Sequence, residues 1–156
     1  LDVGNFSFFC FLDIGDNMKD MEITKELVKI FVDWTKLKIR IHSMEVESVI
    51  YPKKREIWWA SLGQNIGVEI NGKNDNYERP VLIVKVFNEK SILVAPISST
   101  KKTDKYLIEF ISNEGNRNVV NISQLKMLSS KRLLRLVGEM GDQDFSKVKD
   151  NLRKFF

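Results

Sequence analysis

Two residues of this 156-residue chain stand where a fixed charge and a hydroxyl can meet. Arg79 precedes Pro80 at the entrance to one apolar, β-branched run, residues 81–87, and Ser98 follows a second run, residues 92–97. The polar stretch Asn88-Glu89-Lys90-Ser91 separates the runs, which is the pattern of a β-hairpin. In an antiparallel hairpin the start of one strand lies beside the end of the other, so Arg79 meets Ser98 and Ser99 at one margin. The residue before a proline favours extended backbone, so Arg79 is held by a strand entrance rather than a mobile tip. A guanidinium there can hold a phosphate through two parallel N–H bonds and stays charged at any working pH. The Ser98 hydroxyl can donate to the same phosphate. Residue types alone leave an alternative open, an edge arginine in solvent beside a serine that starts a turn.

Other chemistries are excluded by what the chain lacks. It has one histidine, His42, and one cysteine, Cys10, too few for a thiolate or imidazole zinc site within one chain. A Ser-His-Asp arrangement would have to recruit His42 from outside the β-rich region. The glycines at 63, 67 and 72 do not have the spacing of a phosphate-binding loop before a helix. No tight acidic cluster suggests a magnesium site. What survives is chemistry run by arginine, serine and carboxylates, with no metal or other cofactor expected. The lone cysteine fits a reducing, cytoplasmic setting. A net charge of +4 and a pI near 9.1 favour an acidic partner such as nucleic acid, with a merely basic solvated surface as the alternative.

The elements that must position these groups can be read in outline. Hydrophobic content of 43% and charged content of 29% suit a globular domain large enough to bury a core. Residues 1–17 include Phe6-Ser7-Phe8-Phe9-Cys10-Phe11-Leu12, too short to span a bilayer, and are expected to form a peripheral tail. Ile23, Leu27, Ile30, Phe31, Trp34 and Leu37 then recur at helical spacing, with Thr24 as N-cap. Past Leu37 the alternation shortens toward strand period, so the helix is expected to end there. Residues 55–62, with Ile57, Trp58 and Trp59, suggest a strand. A turn-rich loop of roughly sixteen residues follows, longer than usual connections and so a place to look for function. Strands are expected over 104–111 and 118–122, and Ser129 and Ser130 are expected to cap a helical turn over 131–134. Asp142 opens a helix with an apolar stripe of Phe145, Val148, Leu152 and Phe155. The expected fold is mainly β within an α+β class: a small antiparallel barrel with a C-terminal helix and an added N-terminal helix. The expected division is an extension over 1–52 and a main domain over 53–156. Both hairpin runs are expected to be buried on two faces. Lys101, Lys102 and Lys105, with residues 53–55, are candidates for a phosphate-tracking surface or a solvated charge run.

Four segments in order resemble the MazF/PemK toxin family: Gly67-Val68-Glu69, Arg79-Pro80-Val81-Leu82-Ile83-Val84, Val94-Ala95-Pro96-Ile97-Ser98-Ser99, and Asn121-Ile122-Ser123-Gln124-Leu125-Lys126 with Lys131-Arg132-Leu133. The resemblance implies a homodimeric SH3-like barrel, the toxin of a toxin–antitoxin pair, that cuts single-stranded RNA without metal. RNA brings its own nucleophile, the 2′-hydroxyl, so the protein need only orient it, stabilise the phosphorane and assist proton transfer. By position, Arg79 matches the catalytic arginine, Ser98 a threonine of many relatives, and Glu69 a loop carboxylate that supports activity in some members. Gln64, Asn65, Ser99, Gln124 and Lys126 are the expected RNA-contacting residues. The implied partners are RNA, a cognate antitoxin protein and a second copy, with no membrane. Some relatives carry an arginine and an aspartate just before the conserved glutamine, where this chain has Asn121 and Ser123. That departure favours a second possibility, a non-catalytic barrel that binds nucleic acid or a protein target such as a topoisomerase.

Overall fold

The computed structural model describes residues 23–45, 51–112 and 114–154. The expected tail over 1–17 and Phe155 lie outside the described residues. Among these described residues an N-terminal helix α1 (Lys25–Ser43) precedes seven strands: β1 (Glu56–Ser61), β2 (Glu78–Asn88), β3 (Ser91–Ser98), β4 (Leu107–Ile111), β5 (Arg117–Asn121), β6 (Lys126–Ser129) and β7 (Leu133–Glu139). A C-terminal helix α2 (Asp142–Arg153) closes the chain. All strand pairs are antiparallel, in the order β4-β5-β3-β2-β1-β7, with β6 also on β3. The outer edge of β3 is shared. Its first half, Ser91 to Val94, pairs with β6, and Ile97 and Ser98 pair with β5.

Alternation along the central hairpin fills two cores. Leu82, Ala95 and Ile97 join Phe110, Val120 and the α2 residues Phe145 and Val148 on one side. Val81, Ile83, Ile92 and Val94 join Ala60, Leu128 and Leu133 on the other. The helix α2 thus docks through the stripe its spacing predicts. Burial on both faces holds for residues 81–83 but fails further along β2, where Lys85 and Phe87 are exposed. The reason is length: β1 pairs only with Glu78 to Leu82, and the rest of the eleven-residue β2 outruns it.

Other boundaries differ from the sequence expectation for identifiable reasons. The helix α1 continues past Leu37 to Ser43 because Leu37 and Ile41, one turn apart, are both half-buried. Its last turn is tied down by Lys131, whose Nζ donates to the carbonyls of His42 (2.9 Å) and Met44 (2.8 Å). Thr24 does cap the start, its Oγ1 accepting from the Leu27 amide at 3.2 Å. Of the expected apolar stripe on α1 only Trp34 is buried; Ile23, Leu27, Ile30 and Phe31 are exposed. Strand β4 starts at Leu107 because Asp104 closes a turn, accepting from the amides of Tyr106 and Leu107. Strand β5 stops at Asn121, whose side chain caps a 3₁₀ turn over Ile122–Gln124. The turn after Ser129 is also 3₁₀, over Ser130–Arg132, and is capped by the Ser129 hydroxyl.

Candidate active site

The register of the hairpin decides whether Arg79 and Ser98 share a side. Val81 faces Pro96 and Leu82 faces Ala95, with Val81 in one core and Leu82 and Ala95 in the other. The paired register of β2 and β3 runs out to Val81 and Pro96; beyond it Arg79 pairs with Ala60 of the Val81 core, and strand alternation from Pro96 directs Ser98 toward that same face. Ser99 lies on the other side. It lines a cavity of about 530 Å³ with Trp59, Pro80, Ile97 and Phe110.

Arg79 is half-buried, and its Nε donates to the backbone carbonyl of Asn71 at 2.8 Å. Burial lowers its pKa from the ordinary arginine value, but a guanidinium remains protonated. The two terminal amino groups have no partner among the described residues. The Ser98 Oγ accepts from the Thr100 amide at 3.2 Å, which leaves its hydroxyl proton free to donate.

The long loop, residues 63–77, is closed at its base by backbone bonds. The Gly63 amide donates to the Tyr77 carbonyl (3.1 Å), and Gly72 donates back to the Gly63 carbonyl (2.8 Å). Gly72 needs to be glycine, since a Cβ would fall 1.7 Å from the Tyr77 carbonyl oxygen. Inside the loop, the Asn71 Oδ1 accepts from the Asn65 amide at 2.6 Å and Asn65 Nδ2 donates to the Ile70 carbonyl at 2.8 Å. Gln124 reaches across from the 3₁₀ turn: its Oε1 accepts from the Ile70 amide at 3.2 Å, and its Nε2 donates to the Val68 carbonyl at 3.4 Å. Lys126 Nζ then lies 3.7 Å from the Glu69 carboxylate. Arg79, Asn71, Asn65, Gln124, Glu69 and Lys126 therefore form one connected network.

The network modifies several expected roles. The side chains of Asn65 and Gln124 are engaged with loop backbone, so they hold the loop's shape rather than offering free amides. Gln64 is half-buried beside them. Asn121 and Ser123 do not supply a charge and an acid; the Asn121 Oδ1 accepts from the Ser123 amide (3.1 Å) and hydroxyl (2.7 Å). That cap aims the turn from which Gln124 extends. Sequence reading missed Asn71, the hinge between loop and arginine. Its available signal was an Asn-Gly pair in a turn-rich stretch. It also missed the pairing of buried Glu78 with Arg135, whose two terminal nitrogens each donate at 2.8 Å to one carboxylate oxygen. Arg135 lies over the Trp59 ring, its guanidinium carbon 4.6 Å from the centroid. Among the described residues, no three His, Cys, Asp or Glu side chains are grouped as metal ligands.

The segment that carries these groups matches a known family. Residues 53–156 match the family described as PemK-like, MazF-like toxin of type II toxin-antitoxin system. The chain belongs to this MazF/PemK family. The family is known for the toxins of toxin–antitoxin pairs, which in general are endoribonucleases. Solved structures agree on the fold. MazF from Deinococcus radiodurans superposes with a TM-score of 0.57 at 18% identity, covering 68% of this chain and 96% of that one. An endoribonuclease from a mycobacterial species, in complex with its cognate antitoxin, gives 0.53 at 16% identity, covering 67% and 93%. The Mycobacterium tuberculosis toxin MazF-mt6 gives 0.50 at 18% identity, covering 64% and 94%. No curated protein sequence matches the chain significantly. The α1 helix precedes the segment that matches the MazF/PemK family, whereas Arg79, Ser98, Glu69 and Gln124 all lie within it. Among the described residues, no helix is long and apolar enough to cross a membrane.

Proposed function

We propose that this MazF/PemK protein is itself an endoribonuclease that cleaves single-stranded RNA without a metal ion. The observation that carries this reading is Arg79. Its guanidinium is braced through Nε on the Asn71 carbonyl, keeps two terminal amino groups for a phosphate, and shares a strand face with the Ser98 hydroxyl. In the reaction the 2′-oxygen loses its proton and attacks the adjacent phosphorus, the bond to the 5′-oxygen breaks, and that oxygen takes a proton from solvent, giving a 2′,3′-cyclic phosphate and a 5′-hydroxyl. Arg79 and Ser98 stabilise the non-bridging oxygens as charge builds on them. Glu69 is the only acidic side chain on residues 63–72, and we assign it to accept the 2′-hydroxyl proton or to position the ribose. Gln64, Asn65, Gln124 and Lys126 line the path of the RNA strand, Asn65 and Gln124 by shaping the loop. Ser99, on the opposite face, is outside it. Residues 53–156 carry the activity and 1–52 are an extension. A cognate antitoxin and a second copy of the chain are its protein partners, in the cytoplasm.

The test is incubation of the full chain with a mixed-sequence single-stranded RNA in excess EDTA, with end-group analysis of the products. Cleavage giving cyclic-phosphate and 5′-hydroxyl ends is expected, falling by roughly a hundredfold or more in Arg79→Ala. No cleavage, or an Arg79→Ala rate equal to the parent, overturns the reading in favour of a barrel that acts by binding.

A further inference from the structure

We infer that α1, which lies outside the family-matched segment, is a strut that sets the position of the 63–77 loop, with Trp34 as its positioning residue. As a statement about cleavage this rests on the function proposed above.

Three short links join the helix to Arg79. Trp34 is only 5% exposed, and its ring lies against Gly63 so closely that a Cβ there would fall 2.3 Å from Cζ2. Its other neighbours include Tyr77, with ring centroids 5.5 Å apart, and Arg132, whose guanidinium lies 5.4 Å from the Trp34 ring. Gly63 and Tyr77 are the two ends of the loop, joined by the Gly63 amide to the Tyr77 carbonyl. Gly72 hangs from the Gly63 carbonyl, and the preceding carbonyl, that of Asn71, receives Arg79. Trp34 thus presses on the closed base of the loop whose far side holds the arginine.

Polar contacts fix the helix on this spot. The Tyr77 hydroxyl donates to the Ile30 carbonyl at 2.9 Å, tying the loop to α1 from below Trp34. Arg132 donates to the Ser61 carbonyl at 3.1 Å, at the strand end that leads into the loop. Its neighbour Lys131 holds the last carbonyls of α1. One 3₁₀ turn therefore grips both the helix terminus and the loop entrance. Most of the helix's apolar surface is exposed, and Trp34 is its one buried side chain, so the apolar packing of α1 on the barrel is concentrated there. A guanidinium that must meet a phosphorane tolerates little displacement, and misplacement on the scale of an ångström costs up to about a hundredfold in rate.

The experiment uses the full chain and reads two quantities. Hydrogen–deuterium exchange, without RNA, follows the loop-base amides of Leu62, Gly63, Gly72 and Lys73 against the core amides of β2 and β3. Steady-state cleavage of a short RNA gives kcat and KM separately. Trp34→Ala is expected to speed exchange at the loop base while the core stays protected, and to lower kcat roughly tenfold with a smaller change in KM. Trp34→Phe, which keeps a ring on Gly63, is expected to restore most of both. Ile39→Gln, on the exposed side of α1, should match the parent. Should Trp34→Ala fail to fold, Tyr77→Phe, which removes only the tether to Ile30, decides by the same two readouts with a smaller effect in the same direction. Unchanged loop exchange in a folded Trp34→Ala, or unchanged kcat, overturns the strut. Were the parent not to cleave RNA at all, the proposed function would fall and the exchange result alone would judge the strut.

Discussion

Gly63→Ala offers a quantitative measure of how tightly the N-terminal helix and the barrel are fitted. Gly63 has φ of +95°, so an alanine there carries backbone strain of about 1–2 kcal/mol before any neighbour is considered. Its Cβ would also lie 2.3 Å from Cζ2 and 2.4 Å from Cε2 of Trp34. To reach ordinary contact the ring has to retreat by about 1 Å, and displacing a packed side chain typically costs about 1–3 kcal/mol. The single substitution is therefore expected to destabilise the protein by about 2–5 kcal/mol. A double-mutant cycle separates the two parts. In a Trp34→Ala background the overlap vanishes and only the backbone strain remains, so the coupling energy between the two positions should be about 1–3 kcal/mol. Urea unfolding of the four proteins, followed by far-ultraviolet circular dichroism, measures it. For the single Gly63→Ala variant a midpoint lowered by roughly 2 M is expected at an ordinary urea slope. Additive effects, with coupling below about 0.5 kcal/mol, would refute the claim that Trp34 bears on Gly63.

Two further expectations follow from side chains at the same end of the sheet. Arg79→Lys should lower RNA cleavage roughly a hundredfold despite keeping the charge, because one ammonium cannot hold the Asn71 carbonyl and also grip a phosphate bidentately; a rate within about threefold of the parent would count against the bracing role of Nε. Glu78 bears on acid stability. Hydrogen bonds from Arg135 lower its pKa below the ordinary carboxylate value, against the opposing effect of burial. A carboxylate depressed in the fold contributes stability that is complete above its unfolded pKa of about 4.3 and is lost as pH falls through the lower folded value. Glu78→Gln should therefore lower the thermal midpoint at neutral pH and flatten its fall in acid. An unchanged acid profile would mean that Glu78 is not the group responsible.

The hairpin was legible because two apolar β-branched runs and a polar break are a local pattern, and so was α2, whose stripe repeats at helical spacing. The place of Arg79 near the entrance of β2 was legible for the same reason, since the proline after it favours extended backbone. Strands β6 and β7 escaped because their patterns are not those of half-buried strands. In β6 only Leu128 is buried, and in β7 Leu133 is buried while Leu134, Leu136 and Val137 lie exposed. The internal engagement of Asn65 and Gln124 was not legible either. It depends on Gln124 meeting a loop more than fifty residues earlier, and amide side chains carry no marker of which carbonyl they will find. Trp34 showed as part of an apolar stripe, but that stripe pointed to six buried residues and the structure buries one. What selects Trp34 is the absence of a side chain at Gly63, a complementarity that periodicity cannot express.

The other arginines of the barrel bear on the proposal that Arg79, rather than a more exposed cation, receives the phosphate. Arg55, Arg117 and Arg135 each face a carboxylate, from Glu139 and Asp142, Glu109, and Glu78 respectively. Arg132 has no acidic partner among the described residues but spends its Nη1 on the carbonyls of Ser61 and Leu62 and lies over the Trp34 ring. Arg79 is half-buried with a single neutral carbonyl as partner among the described residues, and burial accounts for the downward shift of its pKa. A partly desolvated charge without a counter-charge raises the free energy of the empty site. An incoming phosphate relieves that cost, and relieves it most where negative charge is greatest, on the phosphorane. The same bond that positions Arg79, from Nε to the Asn71 carbonyl, leaves the charge uncompensated because its acceptor is neutral. Had the loop offered a carboxylate at that point, the arginine would have been held as firmly but already neutralised, and binding would have had to break an ion pair first.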